Sequence, residues 1–574
     1  MKVLLTTLHA KYVHSSLALP YLAAACHGTD GIEIAVREFT INEQHEHLLR
    51  NIAAERADIV AFSCYIWNIE QTMKLASDLK KIQPSSRVIL GGPEVSYTPE
   101  EILRDNEAID CIIRGEGEEI FRLLITGLRQ TGNFENTIKS ISSGIAFRNG
   151  SAIVVQPAGK PVVELDSIPS PFTAGLVAMD KPLVYYETSR GCPFSCAFCM
   201  SSLEDGVRSF SMERIRQDLL CLIEHQSPTV KLVDRTFNYD GKRANEIWDF
   251  IVTRNRECRF HFEIAADLLS EENIRILEKV PDGMFRFEIG VQSIDSGTLD
   301  TVGRKTDFTR LYANVEQLLT RTGVTIHLDL IAGLPLEDYK GFLDSLQRLL
   351  ELRPHHIQVE PLKVLKGTPM REIALQNGYS FSSYPPYKLL ASRHLSFLDI
   401  SSIESISRLL DIYFNSGKFR TVLEAVGNQE KLSDFFHSMS LFIEKQAETF
   451  ALSQRSHFER FWSFASGRYE AEVTELLADA LCYDFCLCEY PSAANIPSFM
   501  RTDKGGVGAT KTAISMKQIA ETVMVEKGSK VRTFVHRFRR DYTQFPPGDK
   551  KTEIAFIHIS SQGKGLRIKP VPLG

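Results

Sequence analysis

The chain has no long apolar run and no strong excess of charge of one sign. Among its 574 residues, 66 are Lys or Arg and 72 are Asp or Glu, which gives a formal net charge of -6. So small a charge on so long a chain does not create the basic field that tight nucleic-acid binding requires. The longest apolar stretch near the start, Leu17–Ala25, is interrupted by Pro20 and is far shorter than the ~20 residues that cross a bilayer. We expect neither stable nucleic-acid binding nor a membrane span.

The amino terminus also lacks the pattern of a secretory signal. His9, Lys11 and His14 lie between two apolar pieces instead of forming one basic region before a single apolar core, which favours a strand followed by a helix. Eleven cysteines in a long chain without such a signal are typical of a reducing compartment and not of a disulfide scaffold. We therefore expect a cytoplasmic protein, and an oxygen-labile cofactor would fit that compartment.

Three of the cysteines stand close together in the segment Gly191-Cys-Pro-Phe-Ser-Cys-Ala-Phe-Cys199. Thiolates at this spacing can hold three corners of a cubane iron–sulfur cluster, whereas a fully structural cluster needs four. A structural zinc site also needs four ligands, and no Cys or His follows at zinc-finger spacing. Buried reduced thiols would not explain the clustering. Cys192, Cys196 and Cys199 are therefore predicted cluster ligands that leave the fourth iron open to another ligand.

This segment resembles the cluster motif of the radical S-adenosylmethionine (SAM) superfamily, Cys-x3-Cys-x2-Cys with an aromatic residue before the last Cys, here Phe198. It follows an apolar, strand-like run, Leu183–Thr188, as the motif requires. The resemblance implies a 4Fe–4S cluster whose open iron binds SAM. It also implies reductive cleavage of SAM to a 5′-deoxyadenosyl radical, with an electron donor such as flavodoxin or ferredoxin.

Strands alternate with helices through the first third of the chain. Alternation of this length favours a five-stranded parallel sheet wound with helices on both faces. Ligands of such sheets bind at the carboxyl ends of the strands. The predicted strands are Lys2–Thr6, Ile32–Val36, Asp58–Ser63, Val88–Gly92 and Asp110–Arg114, and the predicted helices are Ser16–Ala25, Glu43–Glu55, Asn68–Ile82 and Glu118–Leu128.

The ends of these strands carry glycines, which let backbone approach a ligand, and aromatic side chains, which offer flat apolar surface. The segments Gly91-Gly-Pro-Glu94 and Gly115-Glu-Gly-Glu118 resemble the cobalamin-binding domain that precedes the radical domain in a large subfamily. The resemblance implies cobalamin as a cofactor; a doubly wound nucleotide-type domain without cobalamin is the alternative. The candidate contacts are Tyr65, Trp67, Gly91, Gly92, Glu94, Gly115 and Glu116.

Two patterns of related proteins are missing from this region. Cobalamin domains of the methionine-synthase type place a histidine on cobalt through Asp-x-His-x-x-Gly, which does not occur here, so we predict no axial ligand from the protein. Methylthiotransferases that modify transfer RNA place three cysteines for a second cluster at strand ends. Here Cys26 falls within a helix and Cys111 within a strand, and only Cys64 stands at a strand end. We interpret all three as buried small apolar side chains.

A hairpin and a second run of strands and helices follow. Two apolar pieces joined by Asn149-Gly150 predict a β-hairpin over 143–155, and Asp166–Pro171 reads as an extended linker. Six strand–helix units then predict a partial (β/α) barrel with its chemistry at the carboxyl ends of the strands. The predicted barrel strands are Leu183–Thr188, Thr229–Val233, Arg259–Ile264, Met284–Gly290, Thr325–Ile331 and His356–Glu360, and the helices are Met212–His225, Gly241–Asn255, Glu271–Lys279, Phe308–Arg321 and Tyr339–Leu352.

Polar groups and a glycine at these strand ends are candidate SAM contacts. By resemblance, Asp234 stands where the family often contacts the methionine amine, although the Gly-Gly-Glu form of that motif is absent. Glu263 and Gln292 stand near ribose or sulfonium positions, and Gly333 lies in a segment similar to the family's adenine side. Glu288 flanks the fourth strand and is a further candidate. Each acid could instead be a salt-bridged residue of the barrel rim. No catalytic residue is predicted beyond these cofactor contacts.

The last third of the chain predicts helices over 387–481 and a small β module from Val531–Tyr542 and Ile554–His558, which carries a basic face. Cys482, Cys486 and Cys488 do not follow a recurring cluster spacing, and the residues between them are apolar or aromatic. The glycine-rich Lys504–Ala509 resembles a phosphate loop only superficially, because no strand precedes it and no Gly-Lys-Ser/Thr follows. We interpret it as a linker.

The length favours several domains, and the predicted boundaries are 1–135 for the cobalamin domain, 136–180 for the hairpin and linker, 181–370 for the barrel and 371–574 for the helical extension with its β module. The resemblance implies a cobalamin-dependent radical SAM enzyme that methylates an unactivated carbon of an unknown substrate. One alternative is radical cyclisation or rearrangement without methyl transfer, as in the similar anaerobic magnesium-protoporphyrin ester cyclases. A non-catalytic cobalamin- or redox-responsive binding protein is the other.

Overall fold

The computed structural model describes residues 1–203, 206–446, 452–492, 494–500, 529–544, 546–561 and 565–573. The chain forms two compact units. The first comprises Met1–Asp338 with Pro361–Phe397, and the second comprises Tyr339–Glu360 with Leu398–Gly574. The segment Lys504–Ala509, predicted as a linker, lies outside the described residues.

A seven-stranded sheet begins the first unit. Its strand order is β2-β1-β3-β4-β5-β6-β7, in which β1 to β5 are parallel as predicted. The predicted hairpin does not stand apart from this sheet, because β6 pairs antiparallel with β5 and thereby buries Ile145 and Phe147. The strands are β1 Lys2–His9, β2 Glu33–Thr40, β3 Ile59–Ser63, β4 Arg87–Gly91, β5 Cys111–Ile113, β6 Ile145–Asn149 and β7 Ala152–Val155.

Helices cover both faces of this sheet. Leu4 and Leu5 are neighbours on β1 but belong to opposite apolar clusters, because successive strand residues point to opposite faces. Burial of each such side chain contributes about 1.5–3 kcal/mol. Cys26, Cys64 and Cys111 lie inside these clusters, which confirms that they are buried. The helices are α1 Ala18–Ala25, α2 His45–Ala54, α3 Ile69–Ile82, α4 Pro93–Ser96, α5 Pro99–Asp105, α6 Glu118–Thr131 and α7 Phe134–Ser140.

The strands and helices predicted for the barrel are present. In the first unit five parallel strands lie in the order β14-β13-β12-β11-β8, while β9 and β10 form a separate antiparallel pair. The strands are β8 Val184–Tyr186, β9 Ser189–Gly191, β10 Val207–Ser209, β11 Thr229–Leu232, β12 Arg259–Ile264, β13 Phe285–Gln292, β14 Thr325–Ala332 and β15 His356–Pro361. The helices are α8 Met212–Glu224, α9 Gly241–Arg254, α10 Glu271–Leu277, α11 Ser296–Thr301, α12 Phe308–Arg321 and α13 Tyr339–Leu352.

The two faces of this second sheet differ in chemistry. On the face that packs against α9, Phe262 and Phe287 contact Trp248 with ring centroids 6.3 Å and 5.5 Å away. The alternating positions on the opposite face are polar, which leaves that face suited to polar ligands. They include Tyr185, Lys231, His261, Glu263, Glu288, His327 and Asp329.

The remaining elements complete both units. The first unit ends with α14 Pro369–Gln376 and the short strands β16 Ser380–Phe381 and β17 Leu389–Ala391. The helical extension and terminal β module follow as predicted, and the three strands of the module are antiparallel. These elements are α15 Phe397–Leu409, α16 Arg420–Gly427, α17 Leu432–Lys445, α18 Gln454–Ser466, α19 Ala471–Cys486, β18 Lys530–Phe538, β19 Thr552–Ser561 and β20 Gly565–Leu573.

Candidate cofactor site

The three predicted cluster ligands lie in one loop, Cys192–Cys199, which we name the cluster loop. It starts directly after β9, and the chain returns through β10, so these paired strands form its stem. Gly191 closes the stem with φ +90°, and a Cβ there would lie 2.1 Å from the carbonyl oxygen of Gly206. Only glycine fits so close an approach.

Backbone bonds hold the cluster loop against two other segments. The amide of Ala197 donates to the carbonyl of Val302 at 2.8 Å, and the amide of Met370 donates to the carbonyl of Ala197 at 2.9 Å. Side chains also reach the sulfur atoms: Arg304 Nη1 lies 3.7 Å from Cys196 Sγ and Thr236 Oγ1 lies 3.4 Å from Cys192 Sγ. The loop is therefore fixed by the barrel around it.

The donor set fits an iron–sulfur cluster. All eleven cysteines are free; Cys196 is buried, and Cys192 and Cys199 are partly exposed. Among the described residues, no three His, Cys, Asp or Glu side chains converge on one metal position. A cubane does not require such convergence, because each thiolate binds a different iron. Three thiols with a nearby guanidinium would suit its ligands and charge.

Asp234 lies behind the cluster loop, with its side chain fully buried. Its Oδ2 accepts the backbone amide of Thr188 at 2.9 Å, and its Oδ1 accepts the hydroxyls of Thr188 and Ser189. Arg243 also donates to the carbonyl of Thr188 at 2.9 Å. In this arrangement Asp234 supports the turn before the loop, and a contact with SAM would require it to give up these bonds.

Glu263 and Glu288 share a cluster on the polar face of the barrel. Lys231 Nζ lies 2.8 Å from Glu288 and 3.6 Å from Glu263, and His261 Nε2 lies 2.9 Å from Glu288. Burial would raise the pKa of Glu288, but His261 and Lys231 lower it well below its ordinary value. For Glu263, burial prevails and raises the pKa despite Arg235 and Lys231. The two carboxyls therefore have different affinities for a proton.

Gln292 and Gly333 lie at the carboxyl ends of β13 and β14. Gln292 has φ +72°, which is uncommon for a residue with a side chain. A Cβ on Gly290 would lie 2.2 Å from Gln292 Nε2, so the glycine makes room for that side chain. Arg304 donates to the carbonyl of Gly290 as well as to Cys196. Backbone strain of this kind clusters at functional sites.

A cavity of about 210 Å³ opens at the ends of β3, β4 and β5. Tyr65, Gly91, Gly92 and Gly115, four of the candidate cobalamin contacts, line it. Gly92 has φ +104°, and a Cβ there would lie 2.5 Å from the carbonyl oxygen of Cys64. Trp67 does not line the cavity but stacks on Tyr65, with centroids 4.4 Å apart. An apolar, glycine-lined cavity at strand ends fits part of a cobalamin.

Glu94 and Glu116 bind other side chains of the protein. Glu94 is buried, lies 3.1 Å from Lys366 Nζ and accepts the hydroxyl of Tyr387. Glu116 accepts Arg208 Nη2 at 2.7 Å and the backbone amide of Val162 at 2.6 Å. Both glutamates therefore hold segments of the first unit together in this structure.

Several residues near the site were not predicted as site residues from the sequence. Arg190, Arg208, Thr236 and Arg304 contact the predicted ligands or the stem, and Glu118 both lines the cavity and binds Arg190 at 2.6 Å. The repeated Gly-Glu pairs over 115–118 and an arginine directly before Gly191 were the available signals. They indicated the segments but not their partners, which are distant in sequence.

The cysteines of the second unit lie on α19 and just after it. Cys482 and Cys486 are buried, and the carbonyl of Cys486 lies 3.0 Å from His558 Nε2. Burial would raise the pKa of the Cys482 thiol, but Cys486 and His536 lower it to about 6. The role of Cys482, Cys486 and Cys488 stays open, and their spacing and apolar surroundings do not follow a recurring cluster motif.

Three family models match the chain in succession. The model described as "B12 binding domain" matches residues 3–125, and the model described as "Radical SAM superfamily" matches residues 186–349. The chain joins a B12-binding domain to a radical SAM domain. Cobalamin, SAM and a 4Fe–4S cluster are the cofactors of this domain pair. Residues 376–548 match "Protein of unknown function (DUF4080)".

The chain is similar to curated methyltransferases and to a curated cyclase. The cobalamin-dependent radical SAM methyltransferase TokK of Streptomyces tokunonensis is 27% identical over 57% of this chain and 50% of its own length. A 2-(S-pantetheinyl)-carbapenam-3-carboxylate methyltransferase of Streptantibioticus cattleyicolor is 28% identical with the same coverage. The chain thus spans about half the length of these relatives. An anaerobic magnesium-protoporphyrin IX monomethyl ester cyclase of Rubrivivax gelatinosus is 25% identical over 53% of the chain and 56% of its own length.

Solved structures share the fold of this B12-binding radical SAM protein. OxsB, a cobalamin-dependent SAM radical enzyme with aqua-cobalamin and SAM bound, has a TM-score of 0.56 at 15% identity and covers 84% of this chain and 83% of its own. The methyltransferase TsrM of Kitasatospora setae, with cobalamin and a 4Fe–4S cluster bound, has a TM-score of 0.54 at 17% identity, covering 67% and 76%. No helix among the described residues is long and apolar enough to cross a membrane.

Proposed function

We propose that this protein is a cobalamin-dependent radical SAM methyltransferase that acts on a carbon atom of a polar substrate. The observation that carries the proposal is the arrangement of the first unit, in which Glu118 lines the glycine-lined cavity and binds Arg190 in the stem of the cluster loop. The relatives named as methyltransferases support it. An electron donor such as flavodoxin or ferredoxin would supply the reductant.

The residues divide into groups by the cofactor that each would hold. Cys192, Cys196 and Cys199 would bind the cluster, and the segment that includes Tyr65, Gly91, Gly92 and Gly115 would bind cobalamin. SAM would lie at the ends of the barrel strands, beside Gln292 and Gly333. When bound, these groups supply reductive cleavage of SAM and a transferable methyl group; the protein supplies their positions and excludes water.

The polar face of the barrel supports a polar substrate. Lys231 keeps its charge, because Glu288 and Glu263 raise the pKa of its ammonium group although burial would lower it. Lys231, Glu263 and Glu288 each expose about a fifth of their side chains, so their remaining hydrogen-bonding capacity is available to a ligand. An apolar lipid would exclude water from this face without replacing the hydrogen bonds that water makes to it, at a cost of about 1–3 kcal/mol for each buried polar group left unsatisfied. We infer a substrate with hydrogen-bonding groups.

The test follows a labelled methyl group. Anaerobically purified protein with cluster and cobalamin is incubated with SAM carrying a ¹³C-methyl group, a reductant and the water-soluble metabolites of the source cells. The proposal expects 5′-deoxyadenosine and a ¹³C-labelled metabolite, both detected by mass spectrometry. A Cys199→Ala variant controls for methylation that does not require the enzyme. Release of 5′-deoxyadenosine without label transfer would favour cyclisation, and absence of SAM cleavage would exclude a radical SAM enzyme.

A further inference from the structure

The segment Gly115–Glu118 belongs to two sites at once. Gly115, Gly117 and Glu118 line the cavity of the B12-binding domain. Glu116 and Glu118 point their carboxylates to the stem of the cluster loop, more than seventy residues further along the chain. A single short segment therefore lines the cavity proposed for cobalamin and also binds the two strands that support the cluster loop.

The stem of the cluster loop has two cations side by side. Arg190 on β9 and Arg208 on β10 stand directly opposite each other in the antiparallel pair. Like charges at such positions are destabilising unless other groups neutralise them. The loop between these strands carries all three cluster cysteines, so any change in how the stem pairs displaces the ligands.

Carboxylates from the B12-binding domain neutralise this pair. Arg190 Nη2 lies 2.6 Å from Glu118, and Arg190 Nη1 lies 3.4 Å from Glu116. Arg208 Nη2 lies 2.7 Å from the same oxygen of Glu116. Glu187, at 2.7 Å from Arg190, is the partner that comes from the barrel itself. Glu116 thus bridges both strands of the stem.

These ion pairs are largely removed from water. The five side chains of the network are between 10% and 16% exposed. Charge-assisted bonds in such surroundings are short and strong, whereas loss of one partner leaves a buried charge uncompensated. The stem therefore depends on the position of Gly115–Glu118.

We propose that Gly115–Glu118 couples the cobalamin cavity to the cluster loop. A ligand that fills the cavity holds Glu116 and Glu118 against Arg190 and Arg208, and a cluster that fixes the stem holds the same segment at the cavity. Each cofactor then increases the affinity of the protein for the other by one common factor, because linkage is reciprocal. The inference rests on binding of both cofactors and not on methyl transfer.

The experiment measures hydroxocobalamin binding to the full-length protein, with and without a reconstituted cluster. Binding is followed anaerobically by the change in cobalamin absorbance, and Kd is compared between the two forms. We expect tighter binding to the cluster-loaded form, by a factor of about 5–150. In Glu118→Gln this factor should fall towards one. Glu119→Gln is the matched control, because Glu119 is the next residue of α6 and its carboxylate accepts the guanidinium of the exposed Arg122 and not that of Arg190.

A reverse measurement covers the case in which Glu118→Gln folds poorly. In the wild-type protein, saturating hydroxocobalamin should raise the affinity for the cluster, measured as equilibrium iron occupancy against a competing chelator, by the same factor. Equal Kd values for the two wild-type forms, or an equal coupling factor in the Glu118→Gln and Glu119→Gln variants, would overturn the coupling and leave the proposed function standing. If neither wild-type form binds hydroxocobalamin, the coupling and the proposed function both fail.

Discussion

The protein carries two close groups of three cysteines, and their surroundings differ. Cys192, Cys196 and Cys199 lie in a loop between two short strands, held from outside by backbone bonds and contacted by Arg304 and Thr236. Cys482 and Cys486 lie on the buried face of α19. The backbone of a helix forms its own hydrogen bonds, and α19 directs its thiols into an apolar core. A loop whose backbone is hydrogen-bonded to neighbouring segments can instead direct its thiols to a cofactor. In this chain, the first short spacing falls in a loop that can surround a cluster, and the second falls largely on a helix that buries its thiols.

Substitution within the first group gives the largest expected effect. Replacement of Cys192, Cys196 or Cys199 by Ala removes one of only three protein ligands, so we expect loss of the visible absorption of the cluster and of 5′-deoxyadenosine formation. Iron content and SAM cleavage measure these outcomes. Cys221→Ala, at a partly exposed cysteine outside both groups, is the control. A Cys196→Ala protein that retained its cluster and cleaved SAM would place the cluster elsewhere.

Substitution within the second group should change stability alone. Cys486 has no exposed side chain, so Cys486→Ala should lower the free energy of unfolding by about 1–3 kcal/mol through the cavity that it leaves. Iron content should stay at the wild-type value. Urea unfolding and iron analysis test both statements, with the partly exposed Cys488→Ala as the milder control. Iron loss in the Cys486→Ala protein would contradict the contrast between the two groups.

The guanidinium beside Cys196 should tune the cluster of the first group. Hydrogen bonds and positive charge near cluster sulfur favour the reduced form, so Arg304→Met should lower the reduction potential by on the order of 50 mV. An electrochemical titration followed by electron paramagnetic resonance measures the shift. Lys305→Met removes the same charge from the exposed neighbouring residue and should leave the potential nearly unchanged. Equal shifts in the two variants would show that only general charge matters.

The smallest expected effect concerns Asp484, between the cysteines of the second group. It accepts the backbone amides of Thr421 and Val422, and burial raises the pKa of its carboxyl to about 7. Its pKa in an unfolded chain is about 3.9. The folded state therefore binds more protons between these values, and this residue reduces stability as pH rises through that range.

The Asp484→Asn protein should not share this loss. We expect its Tm, relative to wild type, to increase between about pH 4 and about pH 7 and to level off above that range, as measured by scanning calorimetry of both proteins. The Asp479→Asn variant tests a second carboxyl of α19 whose pKa burial also raises. A difference in Tm that is constant across this range would show that Asp484 stays ionised when folded.

Local patterns in the sequence predicted much of this molecule. Helices α12 and α13 and strand β12 have the predicted bounds, because apolar periodicity and flanking turns are encoded within each segment. The prediction that Cys192, Cys196 and Cys199 are cluster ligands rests on a local pattern as well. By contrast, the extension of the sheet by β6 and β7 depends on the pairing of β6 with β5, and this pairing is set by tertiary packing.

Local patterns could not predict the contacts of site residues whose partners are distant in the sequence. The sequence places Glu94 and Glu116 at ligand-binding strand ends, but it does not show Tyr387 or Arg208 as their partners. Asp234 was expected near a ligand because it follows a strand and matches a position of the family. Its buried carboxylate instead accepts the hydroxyls of Thr188, between β8 and β9, and of Ser189 on β9. The roles of these acidic residues can be assigned only from their contacts in the folded protein.

The contact between Glu94 and Tyr387 also determines how the protein can be divided. The matched domains end at residues 125 and 349, yet Lys366 and Tyr387, which satisfy the buried Glu94, come later in the chain. A fragment ending at residue 349 would contain both cofactor domains by sequence but would leave this carboxylate buried without a cation. Limited proteolysis should accordingly yield a stable amino-terminal piece only if cleavage occurs beyond residue 397, where the first unit ends.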